Sequence, residues 1–120
     1  MKTLWAMAVP ILPGKTSQFR KFSHELKTTY FNEFSASRKK LKIRERAFLQ
    51  MTPKGDFVIV TLEGENPESA FKKFGQGNDP FIKWFVKEVR EIHGIDLLHM
   101  PEGPLPELVI DSQLSTVLHN

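Results

Sequence analysis

Along four stretches of the chain, alternate side chains fall on opposite faces with the two-residue period of a β-strand. The first stretch, Thr3 to Leu12, places large apolar side chains on one face and small ones on the other. The next two, Arg46–Thr52 and Asp56–Glu63, flank the turn signal Pro53-Lys54-Gly55 and predict a β-hairpin. The last, Glu107–Asp111, predicts a short final strand.

Between these strands, apolar residues recur with the period of an α-helix. A long amphipathic helix is expected from Thr16 to about Lys40. Its apolar stripe consists of Phe19, Phe22, Leu26, Tyr30 and Phe34. A short helix is expected between the capping residue Asn66 and Gly75, and another between Asp79 and Gly94, because each starts with a cap followed by proline. A glycine is also expected where Lys42 follows the long helix.

The resulting order of elements, β-α-β-β-α-α-β, predicts an α+β fold of the ferredoxin-like type. In this fold, a four-stranded antiparallel sheet carries its helices on one face. Both faces of the predicted hairpin strands are apolar, so the open face of the sheet needs a cover. A homodimer through that face is therefore expected. Residues 1–113 form the single predicted domain, and residues 114–120 a C-terminal tail.

Composition narrows the class of protein. The chain of 120 residues is 40% hydrophobic, which suffices for one core, and it has no cysteine, which excludes disulfides and thiolate metal sites. The apolar run at residues 1–7 is interrupted by Pro10 and Pro13, so it is interpreted as a strand and not as a secretion signal. No apolar stretch approaches the roughly 18 residues that span a bilayer. A cytoplasmic protein without a membrane partner is expected.

A basic cluster near the middle of the chain is the one feature that favours nucleic acid. It comprises Arg38, Lys39, Lys40, Lys42, Arg44 and Arg46. The cluster has no interleaved aromatic residues on which bases could stack, and Glu45 dilutes its charge. A solvated helix end is the favoured interpretation, and an RNA-binding module is kept as a third functional alternative.

Several short motifs accompany this order of elements. They are Pro13-Gly14-Lys15, residues 37–41 (SRKKL), residues 49–56 (LQMTPKGD), Asp79-Pro80-Phe81, Trp84-Phe85 and His93-Gly94. With them the chain resembles the dimeric α+β barrel (ferredoxin-like) superfamily, and within it a group of small bacterial proteins of unassigned function. The resemblance implies the fold and a homodimer. The superfamily also contains small monooxygenases, haem-degrading enzymes and muconolactone isomerases, so the resemblance leaves open whether this chain is an enzyme.

Five residues are candidates for binding a small organic ligand. Gln50, Thr52 and Thr61 are polar positions on otherwise apolar strands, and Trp5 and Trp84 could line an apolar cavity. Such a cavity is expected between the sheet and its helices or between two facing sheets. The alternative is that the three polar residues meet water and that both tryptophans belong to the core.

His93 is the candidate catalytic residue, because histidine titrates near neutral pH and Glu91 or Asp96 could tune it. The alternative is that it caps carbonyl groups at the helix end. No pair of histidines has the spacing of a metal site, so neither metal nor cofactor is expected. The first functional hypothesis is thus a dimer that binds a small organic molecule. The second is a cofactor-free monooxygenase or isomerase.

Overall fold

An antiparallel sheet with the strand order β1-β3-β2 lies at the centre of the computed structural model, which describes residues 2–99 and 106–113. The strands are β1 (Thr3–Pro10), β2 (Ile43–Gln50) and β3 (Phe57–Gly64). The helices are α1 (Thr16–Lys27), α2 (Phe31–Lys40), α3 (Pro67–Phe74) and α4 (Pro80–His93). Because β3 pairs with both neighbours, β1 and β2 run parallel on either side of it and are connected through α1 and α2.

Each strand has one face that is covered by the helices and one that is open. On β3, Val58 and Leu62 are 3% and 2% exposed and face the helices. Ile59 and Thr61 alternate with this face and point away from the helices, and Ile59 pairs with Phe48 on β2. The predicted hairpin is confirmed, but β2 spans Ile43–Gln50, so it begins before Arg46 and ends before Thr52. Thr52 instead builds the turn, where its backbone N–H donates to Asp56 Oδ1.

The predicted long helix is divided in two at residues 28–30. The backbone N–H groups of Thr28 and Tyr30 both donate to the carbonyl of Glu25, and the Thr28 hydroxyl donates to the carbonyl of His24. A threonine hydroxyl that bonds the preceding turn competes with regular helical hydrogen bonds, and its branched side chain adds strain to the helix. The chain therefore turns here, and α2 can lie against β2 in place of continuing along the axis of α1.

The starts of α3 and α4 follow the predicted capping pattern. Asn66 Oδ1 accepts a hydrogen bond from the backbone of Ser69 at 3.1 Å, and Asp79 Oδ1 accepts one from Ile82 at 2.9 Å. Gly94 ends α4 in the left-handed conformation with φ of 71°. The sequence predicts these helix ends because each depends on hydrogen bonds between residues at most four positions apart.

Aromatic side chains of α1, α3 and α4 fill the space next to the sheet. The Phe22 and Phe85 rings lie 5.2 Å apart between centroids, and the Phe74 and Phe85 rings 4.8 Å apart, both nearly edge to face. The buried core consists of Ile11, Phe19, Phe22, Val58, Phe74, Phe81, Phe85, Val86, Ile92 and Leu97. Among the described residues, no helix combines the length and the apolar composition needed to cross a membrane.

The predicted fourth strand, Glu107–Asp111, is not formed in this structure. Residues 106–110 have no regular secondary structure, only Asp111 is in a bridge, and Val109 and Ile110 are 73% and 80% exposed. Alternation predicts a strand but supplies no neighbour for it to pair with. The described fold is thus α+β with a three-stranded antiparallel sheet and four helices. The predicted tail, 114–120, and most of the proline-rich connection, 100–105, lie outside the described residues.

Candidate ligand cavity

A cavity of about 410 Å³ lies between the covered face of the sheet and the helices. All three strands contribute walls, including Ala47 from β2 and Val60 from β3, and the opposite walls include Phe22 and Phe85 from the helices. Most of its lining side chains are apolar. A space of this size with few polar groups is typical of sites for small organic molecules.

The buried polar feature of this cavity is an ion pair between Arg38 of α2 and Glu45 of β2. Nε of Arg38 donates to Glu45 Oε1 at 2.8 Å, and Nη2 lies 2.7 Å from the same oxygen. Nη1 donates to the Ser37 hydroxyl at 3.0 Å. Arg38 is only 8% exposed, so the pair is largely removed from water. Both partners line the cavity.

Three phenylalanine rings surround the guanidinium group of Arg38. Its central carbon lies 4.6 Å from the ring centroid of Phe34, 4.1 Å from that of Phe74 and 5.1 Å from that of Phe85. Such contacts offset part of the cost of removing a cation from water. Burial lowers the pKa of Arg38, while the charge of Glu45 and its hydrogen bond act in the opposite direction. The cavity thus contains both charges of the pair against an aromatic wall.

Sequence reasoning missed this pair because it placed Arg38 in the solvated basic cluster. A signal for it was present. Arg38 follows Phe34 by four residues and so continues the apolar stripe of the helix. Glu45 alternates with Ile43 and Ala47 on the covered face of β2, so it interrupts an apolar strand face. Opposite charges at two such positions indicate a buried pair.

The predicted catalytic residue, His93, also lines the cavity. Its Nδ1 lies 2.8 Å from the carbonyl oxygen of Pro10 at the end of β1, and its ring packs edge-on against Phe19. Burial lowers the pKa of His93, and the hydrogen bond to Pro10 acts in the opposite direction. The lowered pKa favours the neutral ring, and because a carbonyl oxygen only accepts, Nδ1 carries the proton and Nε2 is left as an acceptor.

The two carboxylates that could have tuned His93 are engaged elsewhere. Glu91 accepts from Gln18 at 2.8 Å and pairs with Lys87 at 3.1 Å. Asp96 lies 3.1 Å from Nδ1 of His99. The hydrogen bond from His93 to the Pro10 carbonyl ties α4 to β1, which differs from the capping of helix-end carbonyls weighed against catalysis. A catalytic role for His93 stays a prediction.

The two tryptophans are not among the side chains that line the cavity. Trp5 packs edge-on against Phe71, with the ring centroids 5.3 Å apart. Trp84 packs on Tyr30 with centroids 4.3 Å apart and on Phe22 at 5.2 Å. Trp84 fits the core alternative, whereas Trp5 lies outside the main core cluster, and a role for either in ligand binding stays a prediction.

The three polar candidates also lie outside the cavity. Gln50 is exposed at the end of β2 and its side chain donates to the carbonyl of Met51, while Thr52 belongs to the turn. Thr61 is on the open face, where its hydroxyl is buried without a hydrogen-bond partner among the described residues. Of the two predicted locations, only the one between facing sheets could include Gln50 and Thr61.

The basic cluster is divided by the fold. Arg38 points inward, Lys39 and Lys40 are exposed at the end of α2, and Arg46 lies 3.4 Å from Glu63 on the open face of the sheet. Because these charges point in different directions, they form a poor track for a phosphate backbone.

Within residues 2–99 and 106–113, no three histidine or carboxylate side chains are placed to hold a metal ion. Comparisons of the chain with protein-family models, curated proteins and solved structures give no match. The resemblance to the dimeric α+β barrel superfamily therefore stays a prediction. What the protein does must be inferred from the cavity itself.

Proposed function

We propose that this protein binds a small organic molecule in the cavity between the sheet and the helices. The observation that carries the proposal is the apolar space of about 410 Å³ with one buried ion pair in its wall. Apolar walls supply affinity for such a molecule, and a few fixed polar groups orient it. Arg38 and Glu45 are held in place by each other and by the phenylalanine rings, so the polar groups are ordered before a ligand binds.

The proposal includes a homodimer through the open face of the sheet. That face carries Ile59 on β3 between Ala8 on β1 and Phe48 on β2, and Phe48 is 56% exposed. A second copy could bury the same apolar patch, as two-fold interfaces do. With it we propose the finer ferredoxin-like fold, in which Glu107–Asp111 joins a sheet edge as the fourth strand. The exposed Val109 and Ile110 support this, as does the unpaired backbone of an edge strand.

Ligand binding can be tested by filling the cavity. Val60→Trp places an indole in the cavity from the central strand, so we expect at least tenfold weaker binding of an uncharged naphthalene derivative. Phe31→Trp places an indole at an exposed position of α2 outside the cavity and serves as the control, which should bind as the wild type does. Binding is measured by titration calorimetry and by thermal stabilisation, which rises with the logarithm of ligand concentration. If both variants bind the ligand equally well, the ligand does not bind in this cavity.

A cofactor-free isomerase or monooxygenase is the second candidate function, and the position of His93 favours it. The neutral ring borders the cavity and keeps Nε2 as a proton acceptor. A neutral histidine beside an apolar space is suited to removing a proton from a bound carbon acid. Chemical change of a bound molecule, followed by mass spectrometry, would distinguish this function from binding alone.

A further inference from the structure

The ion pair in the cavity limits the charge of its ligand. Arg38 and Glu45 carry opposite charges that cancel, and both line the cavity. From this geometry we propose that the ligand is an uncharged amphiphile, with an apolar body and one oxygen that accepts a hydrogen bond from Arg38. This inference rests on the proposed function and adds the chemical class of the ligand.

Arg38 has hydrogen-bond donors to offer such an oxygen. Its guanidinium carries five N–H groups, two of them on each terminal nitrogen. Nε uses its one for Glu45, Nη1 uses one for the hydroxyl of Ser37, and Nη2 lies 2.7 Å from Glu45 Oε1. Within residues 2–99 and 106–113, the second hydrogen on each terminal nitrogen has no such partner. A carbonyl or hydroxyl oxygen of the ligand can accept from one of them without disturbing the ion pair.

The same pair disfavours an anionic ligand at this end of the cavity. A carboxylate placed beside Arg38 would also approach Glu45, and the three groups together would bury one net negative charge. A buried charge without its own partner is costly. A hydrocarbon avoids that cost but leaves the Arg38 donors without an acceptor. A neutral molecule with one oxygen satisfies both conditions.

Two cations, Arg20 and Lys27, also border the cavity, but both are exposed. A carboxylate held there would remain in contact with water, where an ion pair contributes little and is screened by salt. Binding at this outer position would be sensitive to salt and insensitive to Glu45. The two positions can therefore be separated experimentally.

The test uses three naphthalene derivatives of nearly equal shape: the methyl ketone, the ethyl hydrocarbon and the carboxylate. With the wild-type protein, titration calorimetry should give the lowest Kd for the ketone. Its Kd should be about tenfold below that of the ethyl compound, the ratio that one hydrogen bond provides. The carboxylate should bind more weakly than the ketone by a similar or larger factor.

Glu45→Gln should reverse this order. The glutamine keeps the shape and an oxygen acceptor for Arg38 but removes the negative charge, so the cavity gains one net positive charge. The carboxylate should then bind more tightly than the ketone. Circular dichroism confirms that the variant is folded. Arg38→Met/Glu45→Met, which removes both charges, provides a second measurement, and in it the advantage of the ketone over the ethyl compound should disappear.

The outcomes separate the ligand class from the function. Tight binding of the ethyl compound or the carboxylate to the wild type, with Val60→Trp abolishing it, would overturn the ligand class and leave the proposed function intact. Carboxylate binding that falls with salt and ignores Glu45→Gln would also overturn the class. If none of the three binds the wild type, both the proposed function and this inference are rejected for ligands of this size.

Discussion

Lys42 shows how one residue can depart from its preferred backbone conformation. Its φ is 59°, a left-handed value that favours glycine, the residue expected at this helix end. The backbone N–H of Lys42 donates to the carbonyl of Lys39, and the chain then enters β2. A Cβ on Gly64, opposite, would lie 2.5 Å from the Lys42 carbonyl oxygen. The close approach of the two backbones explains why residue 64 is a glycine.

Replacing Lys42 with glycine should stabilise the protein. Lys42→Gly removes the Cβ that disfavours the left-handed conformation, and we expect the free energy of unfolding to rise by about 0.5–1 kcal/mol. Lys40→Gly is the matched control, because Lys40 is exposed at the end of α2 and glycine there should lower stability by up to about 1 kcal/mol. Urea unfolding measures both. A loss of stability in Lys42→Gly would contradict this account of the turn.

The sequence predicted those features of single residues that depend on neighbouring positions. The caps Asn66 and Asp79 and the helix end at Gly94 required only local hydrogen bonds. The environment of Arg38 could not be obtained in that way, since its partners include Phe74 and Phe85, far along the chain. A charged side chain is expected in solvent, but packing against residues distant in the sequence buries Arg38.

The ion pair between Arg38 and Glu45 joins two elements, α2 and β2. Glu45→Met should lower the free energy of unfolding by about 3–5 kcal/mol, because it leaves the Arg38 cation buried without a partner. Arg38→Met/Glu45→Met should be close to the wild type in stability, because no charge is then left unpaired and the apolar side chains pack against the same rings. Urea denaturation of the two variants measures the difference.

An exposed ion pair on α3 provides the control for this experiment. It joins Lys72 and Glu68 at 3.3 Å, and Glu68→Met should change the free energy of unfolding by less than about 1 kcal/mol. If Glu45→Met is as mild as Glu68→Met, the ion pair is not effectively buried. That result would also weaken the argument for an uncharged ligand.

The elements themselves were largely predictable, and their ends less so. Alternation located β1, β2 and β3, because each turns one set of alternate side chains toward the helices. The break between α1 and α2 was missed, since the apolar stripe continues through Tyr30 and Phe34 while the backbone turns at Thr28. Periodicity reports which side chains face the core and is insensitive to a short interruption of the helix.

The open face of the sheet is where the assembly of the molecule can be tested. Ile59 faces away from the helices, so Ile59→Asp should leave the monomer folded and place a charge in the proposed interface. We expect light scattering to give twice the chain mass of 13.8 kDa for the wild type and a single chain for the variant. Val58→Asp, on the covered face, should unfold the protein instead, because Val58 is 3% exposed. A monomeric wild type would reject the proposed dimer.

The cavity could not have been predicted as a volume. The sequence indicated apolar walls, but the size of the space depends on how α1, α2 and α4 settle against the sheet, which no local pattern determines. The fourth strand shows the same limit, because residues 107–111 alternate as a strand does yet pair only if an edge is available. The sequence pattern predicts which faces of the strands and helices are apolar, but not how those faces pack against one another.

Strand β3 has a double position in this molecule. Val58, Val60 and Leu62 border the cavity, and Ile59 and Thr61 alternate with them on the open face. If a ligand fills the first surface and a second chain the second, both events act on one eight-residue segment. If the ligand changes the affinity between subunits by some factor, thermodynamic reciprocity requires that dimerisation change the affinity for the ligand by the same factor. Ligand affinity would then depend on protein concentration, and the monomer–dimer equilibrium on ligand concentration.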